Sequence, residues 1–155
     1  MKTIIYNKRA KFDYEILETF EAGIVLVGHE VKSAKNGNVS LKGAYVVIQQ
    51  TGPKGTPEAW ILNMHIGVYK QAGKIPNYNP TRSRKLLLHK KEINYLIGKQ
   101  RQKGLTLVPI SIYTKKSRLK LEFGLGRGKR KIDKREKIKE REFERRKQRI
   151  LKGKI

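Results

Sequence analysis

The chain has 155 residues, a formal net charge of +24 and no cysteine. A charge of this size opposes compaction unless a polyanion screens it, so nucleic acid is the expected partner and an acidic membrane surface the weaker alternative. The lack of cysteine excludes disulfides and thiolate zinc sites. No apolar run approaches the roughly 18 residues of a spanning helix, and residues 1–6 are too short for a signal peptide. We therefore expect a cytoplasmic protein without membrane attachment.

The composition divides the chain into a domain and a tail near Gly128. Residues 1–128 carry 23 Lys and Arg against 8 Asp and Glu, net +15, and hold most of the apolar side chains. Residues 129–155 carry 14 against 5, net +9. This predicts an RNA-binding β-barrel domain over residues 1–128 and a basic C-terminal tail over residues 129–155. Gly124, Gly126 and Gly128 are the expected joint, because alternate glycines weaken a strand.

Two or three helices are predicted within the domain. Asp13 is a plausible N-cap, after which Ile16, Leu17 and Phe20 share one helical face until Gly23 ends the helix. Residues 31–36 predict a short second helix. Residues 90–102 predict a third, with Ile93, Leu96 and Ile97 on its apolar face.

Short strands make up the rest of the domain. Runs of β-branched, aromatic or alternating side chains predict strands at residues 24–27, 44–48, 59–62, 105–113 and 119–123, with a turn at residues 50–55. Several short antiparallel strands with a few peripheral helices are typical of a small closed barrel. Periodicity alone does not separate an oligonucleotide-binding barrel from other small barrels.

A catalytic constellation is absent from the sequence. His29, His65 and His89 lack the spacing of a two-histidine metal motif, and the domain carboxylates are scattered. Residues 124–130 look suited to phosphate, but Phe123 and Arg130 stand where a P-loop needs glycine and Ser or Thr. A flexible basic hinge is the favoured interpretation of that segment. We therefore expect no enzyme activity, no cofactor and no metal.

Basic clusters give the stronger functional indication. Residues 7–11, 82–85 and 90–91 are rich in Lys and Arg, and the loop 76–80 precedes the second cluster. Its two prolines and its polar and aromatic side chains predict a stiff, exposed element for hydrogen bonding and stacking on RNA. A solvated face kept soluble by charge is the alternative.

The tail is predicted to be largely unfolded alone, helix-prone and ordered by a polyanion. Its opposite-charge and like-charge helix pairs nearly cancel at roughly 0.2–0.5 kcal/mol each. Ordering the backbone costs about 1–2 kcal/mol per residue. Its apolar residues are too sparse to form a stripe that packs on a core.

Five strings in order along the chain resemble the small protein B family, the tmRNA-binding proteins of bacterial trans-translation. They are residues 7–10, 20–24, 28–33, 80–88 and 126–135. The resemblance covers nearly the whole chain, and it departs at two places. Phe143 stands where a tryptophan is frequent, and the turn at residues 52–57 is slightly long.

The resemblance implies an antiparallel barrel of oligonucleotide-binding type with peripheral helices, and a tail that is helical when bound. It implies that the protein binds the tRNA-like domain of tmRNA and delivers it to stalled ribosomes, where the protein replaces an anticodon arm. It also implies that elongation factor Tu is part of the delivery complex and that the protein is a monomer. The RNA-contacting positions it implies are Asn7, Lys8, Glu21, Lys32, Arg82, Arg84, Lys85 and Leu87. The tail positions it implies at the decoding centre and the empty mRNA channel are Asp133, Lys134, Arg135, Phe143, Ile150 and Leu151.

Two other classes stay open from the residues alone. A basic ribosomal or ribosome-assembly protein would show the same charge excess. A nuclease is disfavoured because no catalytic cluster is present. Selective binding of tmRNA would separate the first class from a tmRNA-binding protein, and metal-dependent RNA cleavage would revive the second.

Overall fold

Antiparallel strands dominate the computed structural model, which describes residues 1–129 and 131–151, with side chains in the last helix for residues 135 and 138–149. In this part of the chain the strands are β1 (Lys2–Tyr6), β2 (Tyr14–Ile24), β3 (Val39–Ser40), β4 (Tyr45–Gln49), β5 (Glu58–Leu62), β6 (His65–Ile66), β7 (Arg84–Leu87), β8 (Leu105–Lys115) and β9 (Arg118–Gly128). The helices are α1 (Lys8–Asp13), α2 (Gly28–Lys35), α3 (Lys90–Gln100) and α4 (Lys131–Leu151). A mainly β protein with a few helices is thus confirmed.

Seven strands form one antiparallel sheet in the order β1-β8-β4-β5-β7-β2-β9. Strand β9 pairs with β2 on one side and with β8 on the other, while β8 also pairs with β1 and β4. The strands β3 and β6 form a separate two-stranded ladder. The predicted strands at residues 44–48, 59–62, 105–113 and 119–123 correspond to β4, β5, β8 and β9 and are confirmed.

Two apolar clusters pack on opposite faces of the long strands. The main core fills one face and includes Phe123, Leu121 and Ile112, all buried. A smaller cluster of Ala10, Val108 and Ile110, with Tyr14 and Ile16 packed against it, lies under α1. Because burying a large apolar side chain contributes about 1.5–3 kcal/mol, both faces of this part of the sheet add to stability.

The predicted helix over residues 13–23 is wrong, since this segment forms β2. Strand β2 pairs with β9 along its length, and its register shifts by one residue between Ile16 and Glu18. Such a bulge reverses which side chains face which side of the sheet. Ile16 therefore packs in the small cluster and Phe20 against the main core. The spacing that suggested one helical face belongs to two faces of a strand. The predicted strand at residues 24–27 is also wrong, because β2 ends at Ile24.

The glycines near the end of the domain lie inside β9 rather than in a flexible joint. A Cβ atom on Gly124 would lie 2.7 Å from Ile16 Cγ2 and 3.0 Å from Ile110 Cδ1. One on Gly126 would lie 3.1 Å from the Tyr14 Cβ. Small residues are thus required here so that the cluster under α1 can approach the strand, and the predicted hinge is corrected to a packing site.

The two other predicted helices are confirmed with shifted ends. Helix α2 starts three residues earlier than predicted and ends before Gly37, which has a φ of +85°. Helix α3 ends at Gln100, and its Leu96 is fully buried in the main core, with Ile93 and Ile97 beside it. The polar face of α3 carries lysines and stays in solvent.

The tail forms one helix, α4, over Lys131–Leu151. The Arg141 guanidinium lies 5.2 Å from the centroid of the Phe12 ring, and Arg9 approaches the same ring at 5.2 Å. Helix α4 therefore contacts α1 through a cation–π pair. That the tail is unfolded by itself stays a prediction. Among the described helices, none is long and apolar enough to cross a membrane.

Candidate nucleic-acid interface

Glu21 projects from the outer face of β2, opposite Glu122 on β9. Its neighbour Ala22 is buried in the main core, and alternation along a strand places Glu21 on the other side. The Tyr113 hydroxyl donates a hydrogen bond to Glu21 Oε2, and Lys115 Nζ lies 3.4 Å from both carboxylate oxygens. The hydrogen bond from Tyr113 and the charge of Lys115 hold the pKa of Glu21 below its ordinary value. Glu21 is therefore an ionised acceptor with a fixed orientation.

Leu87 lies beside Glu21 on the same surface. It pairs with Gly23, two residues beyond Glu21 on β2, and it is 55% exposed. A Cβ on Gly23 would lie 3.3 Å from the Leu87 Cβ, so the glycine lets the leucine lie close over the strand. The structure thus brings together two of the predicted RNA contacts, one an acceptor and the other an exposed apolar group.

Asn7 lies on the same sheet, some distance from Glu21, and caps the start of α1. Its Nδ2 donates to the Pro109 carbonyl at 2.8 Å, and its Oδ1 accepts the Arg9 amide at the start of α1. Register places Tyr6 opposite Ser111, Ser111 opposite Glu122, and Glu122 opposite Glu21. Three strand spacings, about 14 Å, therefore separate the end of β1 from Glu21.

A cleft of about 610 Å³ opens beside Asn7 and Lys8, with the turn before β4 as its other wall. Tyr6 is 67% exposed and Tyr45 43% exposed at its edge. Lys8 and Lys42 contribute positive charge to the same cleft. Exposed aromatic rings beside ammonium groups suit the stacking of bases and the binding of phosphates.

Arg84 does not lie at the surface, so its predicted contact with RNA is corrected. It is fully buried, and its Nε and Nη2 donate to Glu30 Oε2 at 2.9 and 2.6 Å. Its Nη1 donates to the Met64 carbonyl at 2.6 Å. A long cation can be buried in this way only when its donors are satisfied and its charge is paired. Arg84 therefore ties β7 to α2 from inside.

Glu30 is the centre of this buried network and was missed by sequence reasoning. Burial alone would raise its pKa, but hydrogen bonds from Arg82, the Val27 amide and Arg84 lower the pKa to about 2. Arg82 is partly exposed, and it donates to Glu30 Oε2 through Nε at 3.0 Å and to Glu30 Oε1 through Nη2. One signal in the sequence could have found Glu30. It is the third residue of a helix, where a carboxylate reaches back to the preceding amide.

The loop before β7 is anchored to the same network instead of presenting its aromatic ring. The Tyr78 hydroxyl donates to the Ile66 carbonyl at 2.7 Å and accepts from Arg84 Nη2 at 3.1 Å. Its ring meets His29 edge-on, with centroids 4.7 Å apart. Pro76, Asn77 and Asn79 in this loop are exposed, but the Tyr78 ring is only partly exposed, so stacking of this loop on RNA stays a prediction.

The remaining predicted cations of the domain are exposed or partly exposed. Lys85 pairs with Glu58 at 2.5 Å and keeps 41% of its side chain exposed. Lys32 is exposed on α2, with its ammonium 5.8 Å from the Tyr69 ring centroid. Lys8 is exposed at the start of α1. The ion pair and hydrogen bonds of Glu21 are made by Lys115 and Tyr113 and not by these cations.

Of the predicted tail residues, Arg135 and Phe143 are exposed, Phe143 by 66%. The side chains of Asp133, Lys134, Ile150 and Leu151 lie outside the described residues. In the part of the chain that the structure describes, no three His, Asp or Glu side chains converge as metal ligands. The described surface offers acceptors, cations and exposed rings, which are groups that can bind a polyanion.

These features define a basic, mainly antiparallel β protein with a surface suited to RNA. The SmpB protein family model matches residues 4–153. The SsrA-binding protein of Gloeothece citriformis is 51% identical over 97% of this chain and 94% of its own length. That of Coprothermobacter proteolyticus is 49% identical over 94% and 93%. A solved chain described as "tmRNA-SmpB: a journey to the center of the bacterial ribosome" is 44% identical, with a TM-score of 0.65 over 86% of this chain and 93% of that one. The chain belongs to the SmpB family, as the five strings indicated.

Proposed function

We propose that this chain binds the tRNA-like domain of tmRNA and enters stalled ribosomes with it during trans-translation. The observation that carries the proposal is the match to SsrA-binding proteins over 97% of the chain, with a tail that retains its basic character. The surface of Glu21 and Leu87 supports it, because a fixed acceptor beside an exposed apolar group can recognise RNA rather than only attract it.

The fold that we propose for this role is a closed barrel of oligonucleotide-binding type. Its support is that the strand pairings pass from β8 through β4, β5, β7, β2 and β9 and return to β8. Closure leaves no free edge among these six strands, and β1 adds to β8 from outside. A closed sheet holds its outer side chains at fixed separations, as recognition of a folded RNA requires.

The surface that we propose for tmRNA comprises Asn7, Lys8, Glu21, Lys32, Arg82, Lys85 and Leu87. Asn7 contributes by starting α1 and so placing Lys8 beside the cleft. We propose further that the protein acts in the cytoplasm as a monomer, and that elongation factor Tu takes part in delivery.

We propose that the tail, unfolded when alone, forms a helix in the decoding centre and the empty mRNA channel, where the protein replaces an anticodon arm. Asp133, Lys134, Arg135, Phe143, Ile150 and Leu151 are the proposed contacts. An exposed Phe143 supports this role, since exposure of a large ring is unfavourable in water and suits stacking on ribosomal RNA.

The first test separates tmRNA recognition from general RNA binding. Glu21→Ala and Leu87→Ala should each weaken binding to a full-length tmRNA transcript about tenfold and leave the fold intact, because neither side chain fills the core. Glu18→Ala, on the opposite face of β2, is the matched control and should bind no more weakly than the parent. A parent protein that binds ribosomal RNA as tightly as tmRNA would instead favour the ribosomal or assembly class.

The second test concerns the tail and compares binding with tagging of stalled nascent chains. Truncation after Lys129 is preferable to truncation after Gly128, because the Lys129 amide donates to the Asp13 carbonyl at 2.9 Å and its ammonium to the Lys11 carbonyl at 2.7 Å. The truncated chain should bind tmRNA within about twofold of the parent and support no tagging in a reconstituted reaction. Phe143→Ala should reduce tagging less than the truncation does. Full tagging by the truncated chain would exclude the decoding-centre role.

A further inference from the structure

Tyr113 lies at a place where an aromatic hydroxyl has a purpose beyond packing. The residue is only 5% exposed, and it pairs with Lys120 on β9 and with Thr3 on β1. Its hydroxyl nevertheless reaches the outer surface and donates to Glu21 Oε2. A buried ring thus carries a single donor to a carboxylate that keeps 39% of its side chain exposed.

The surroundings of Glu21 show why such a donor matters. A carboxylate without a fixed donor can rotate toward any nearby ammonium. Lys115 and Lys120 both lie close enough to lower the pKa of Glu21. Glu122 on β9 pairs with Glu21 in the sheet, and its charge also acts on the Tyr113 hydroxyl. A rigid aromatic donor fixes one oxygen, because the Tyr113 ring is held by burial and its hydroxyl has no rotamer freedom beyond one torsion. The other oxygen, Oε1, has a long contact of 3.4 Å with Lys115 Nζ, and 39% of the Glu21 side chain stays exposed.

We propose that Tyr113 is a positioning residue that holds the Glu21 carboxylate ionised and oriented to accept a hydrogen bond from an N–H or O–H donor of tmRNA. This proposal deepens the proposed function and rests on it. Preorganisation of this kind strengthens binding because the acceptor loses no orientational freedom when RNA arrives. The donor is a base amino or imino group or a 2′-hydroxyl, since these are the neutral donors that RNA presents.

An independent pair on the same strand provides a matched control. The Tyr95 hydroxyl of α3 donates to the Glu18 carboxylate, at 2.7 Å from each oxygen. Glu18 lies opposite the core residue Leu125, so it faces the other side of β2 from Glu21. Tyr95→Phe therefore removes the same kind of hydrogen bond from the same strand, away from the proposed RNA surface.

The first experiment measures whether Tyr113 acts through Glu21. Binding of the full chain to a full-length tmRNA transcript is compared for the parent, Tyr113→Phe, Glu21→Ala and the double variant. Tyr113→Phe should weaken binding about three- to tenfold in the parent and by less than twofold in the Glu21→Ala background. Tyr95→Phe should bind like the parent. Equal losses in both backgrounds would overturn the proposal, because Tyr113 would then act without Glu21.

The second experiment measures the carboxylate directly in the free protein. A carbon-13 NMR titration should show a Glu21 pKa below the ordinary value in the parent and closer to it in Tyr113→Phe. A role of Tyr113 in packing alone would leave this titration unchanged and would overturn the proposal. In the parent, a low-field signal of the Tyr113 hydroxyl proton should persist when tmRNA binds and vanish in Glu21→Ala. Loss of this signal on tmRNA binding would contradict the proposal even if Tyr113→Phe fails to fold.

The outcomes also separate this proposal from the proposed function. Parent-like binding by Glu21→Ala would remove Glu21 from the interface and overturn the role of Tyr113, while tmRNA binding by the parent would still support the function. A parent that does not bind tmRNA selectively would overturn the function itself. Glu21→Gln keeps one carbonyl oxygen but cannot ionise, so it should bind between the parent and Glu21→Ala.

Discussion

Replacing Glu30 by Gln should destabilise the protein strongly, although Glu30 itself is fully buried and is not one of the proposed RNA contacts. The substitution leaves Arg84 as a buried cation without its counter-charge. Breaking a buried pair by removing one partner costs about 3–5 kcal/mol. The pKa of Glu30, lowered from 4.5 to about 2, gives a second value of about 3 kcal/mol at neutral pH. For a domain of this size, a loss of about 3–5 kcal/mol corresponds to roughly 10–20 °C in melting temperature.

The pH dependence gives this prediction its sign. Because folding lowers the pKa of Glu30, its contribution is fully present above the ordinary value of 4.5 and is lost as the pH falls toward 2. The stability difference between the parent and Glu30→Gln should therefore be largest at pH 7 and smaller by about 2 kcal/mol at pH 3. Urea unfolding followed by the fluorescence of the single tryptophan, Trp60, measures both values.

A matched control is Glu58→Gln, which removes the partner of a half-exposed lysine on β7. Its loss of stability should be much smaller, because water can solvate Lys85 when the pair is broken. A loss of less than about 1 kcal/mol in Glu30→Gln at pH 7 would show that Arg84 does not depend on this counter-charge, since an unpaired buried charge costs more. The same conclusion would follow if the difference from the parent were equal at pH 3 and pH 7.

Three further predictions concern packing, charge and the tail. Gly124→Ala should lower the free energy of unfolding in urea by about 1–3 kcal/mol, because the new Cβ meets Ile16 and Ile110. Gly128→Ala should not, since no atom lies within 4 Å of its Cβ, and equal effects of the two changes would favour a flexible hinge instead. About six phosphate contacts predict a log–log salt slope near −4 to −5 for tmRNA in filter binding, and a slope near zero would contradict the basic surface. A peptide of residues 130–155 should show little helix by circular dichroism in buffer and more with added polyanion; strong helix in buffer would contradict an unfolded tail.

The position of most strands could be predicted because their alternation lies within single runs of sequence. Strand β2 could not, because the bulge between Ile16 and Glu18 shifts its alternation by one residue. Its apolar residues then match a helical spacing by coincidence. The bulge itself depends on the pairing with β9, and pairing between distant segments leaves no trace in a local pattern.

The sequence predicts the charge of the candidate surface, but it predicts only in part which cations that surface exposes. Local charge identified residues 82–85 as basic, yet charge density does not distinguish a cation that faces solvent from one that neutralises a buried acid. Arg84 is buried because Glu30 lies 54 residues earlier and meets it in space. Tyr113 was missed for a similar reason, since its hydroxyl meets a carboxylate 92 residues away.

Substitutions of Glu21 and Glu18 distinguish two explanations of the proposed RNA binding, one by net charge and one by an oriented acceptor. If net charge alone set the affinity, Glu21→Ala and Glu18→Ala would both strengthen binding, because each raises the net charge from +24 to +25. If Glu21 is an oriented acceptor, its removal weakens binding despite the added charge, and only Glu18→Ala follows the electrostatic trend. The sign of the change at Glu21, measured against Glu18 at the same ionic strength, therefore separates recognition from attraction. An increase in affinity for both variants would reduce this surface to a polyanion-binding one and would leave Tyr113 without a role in binding.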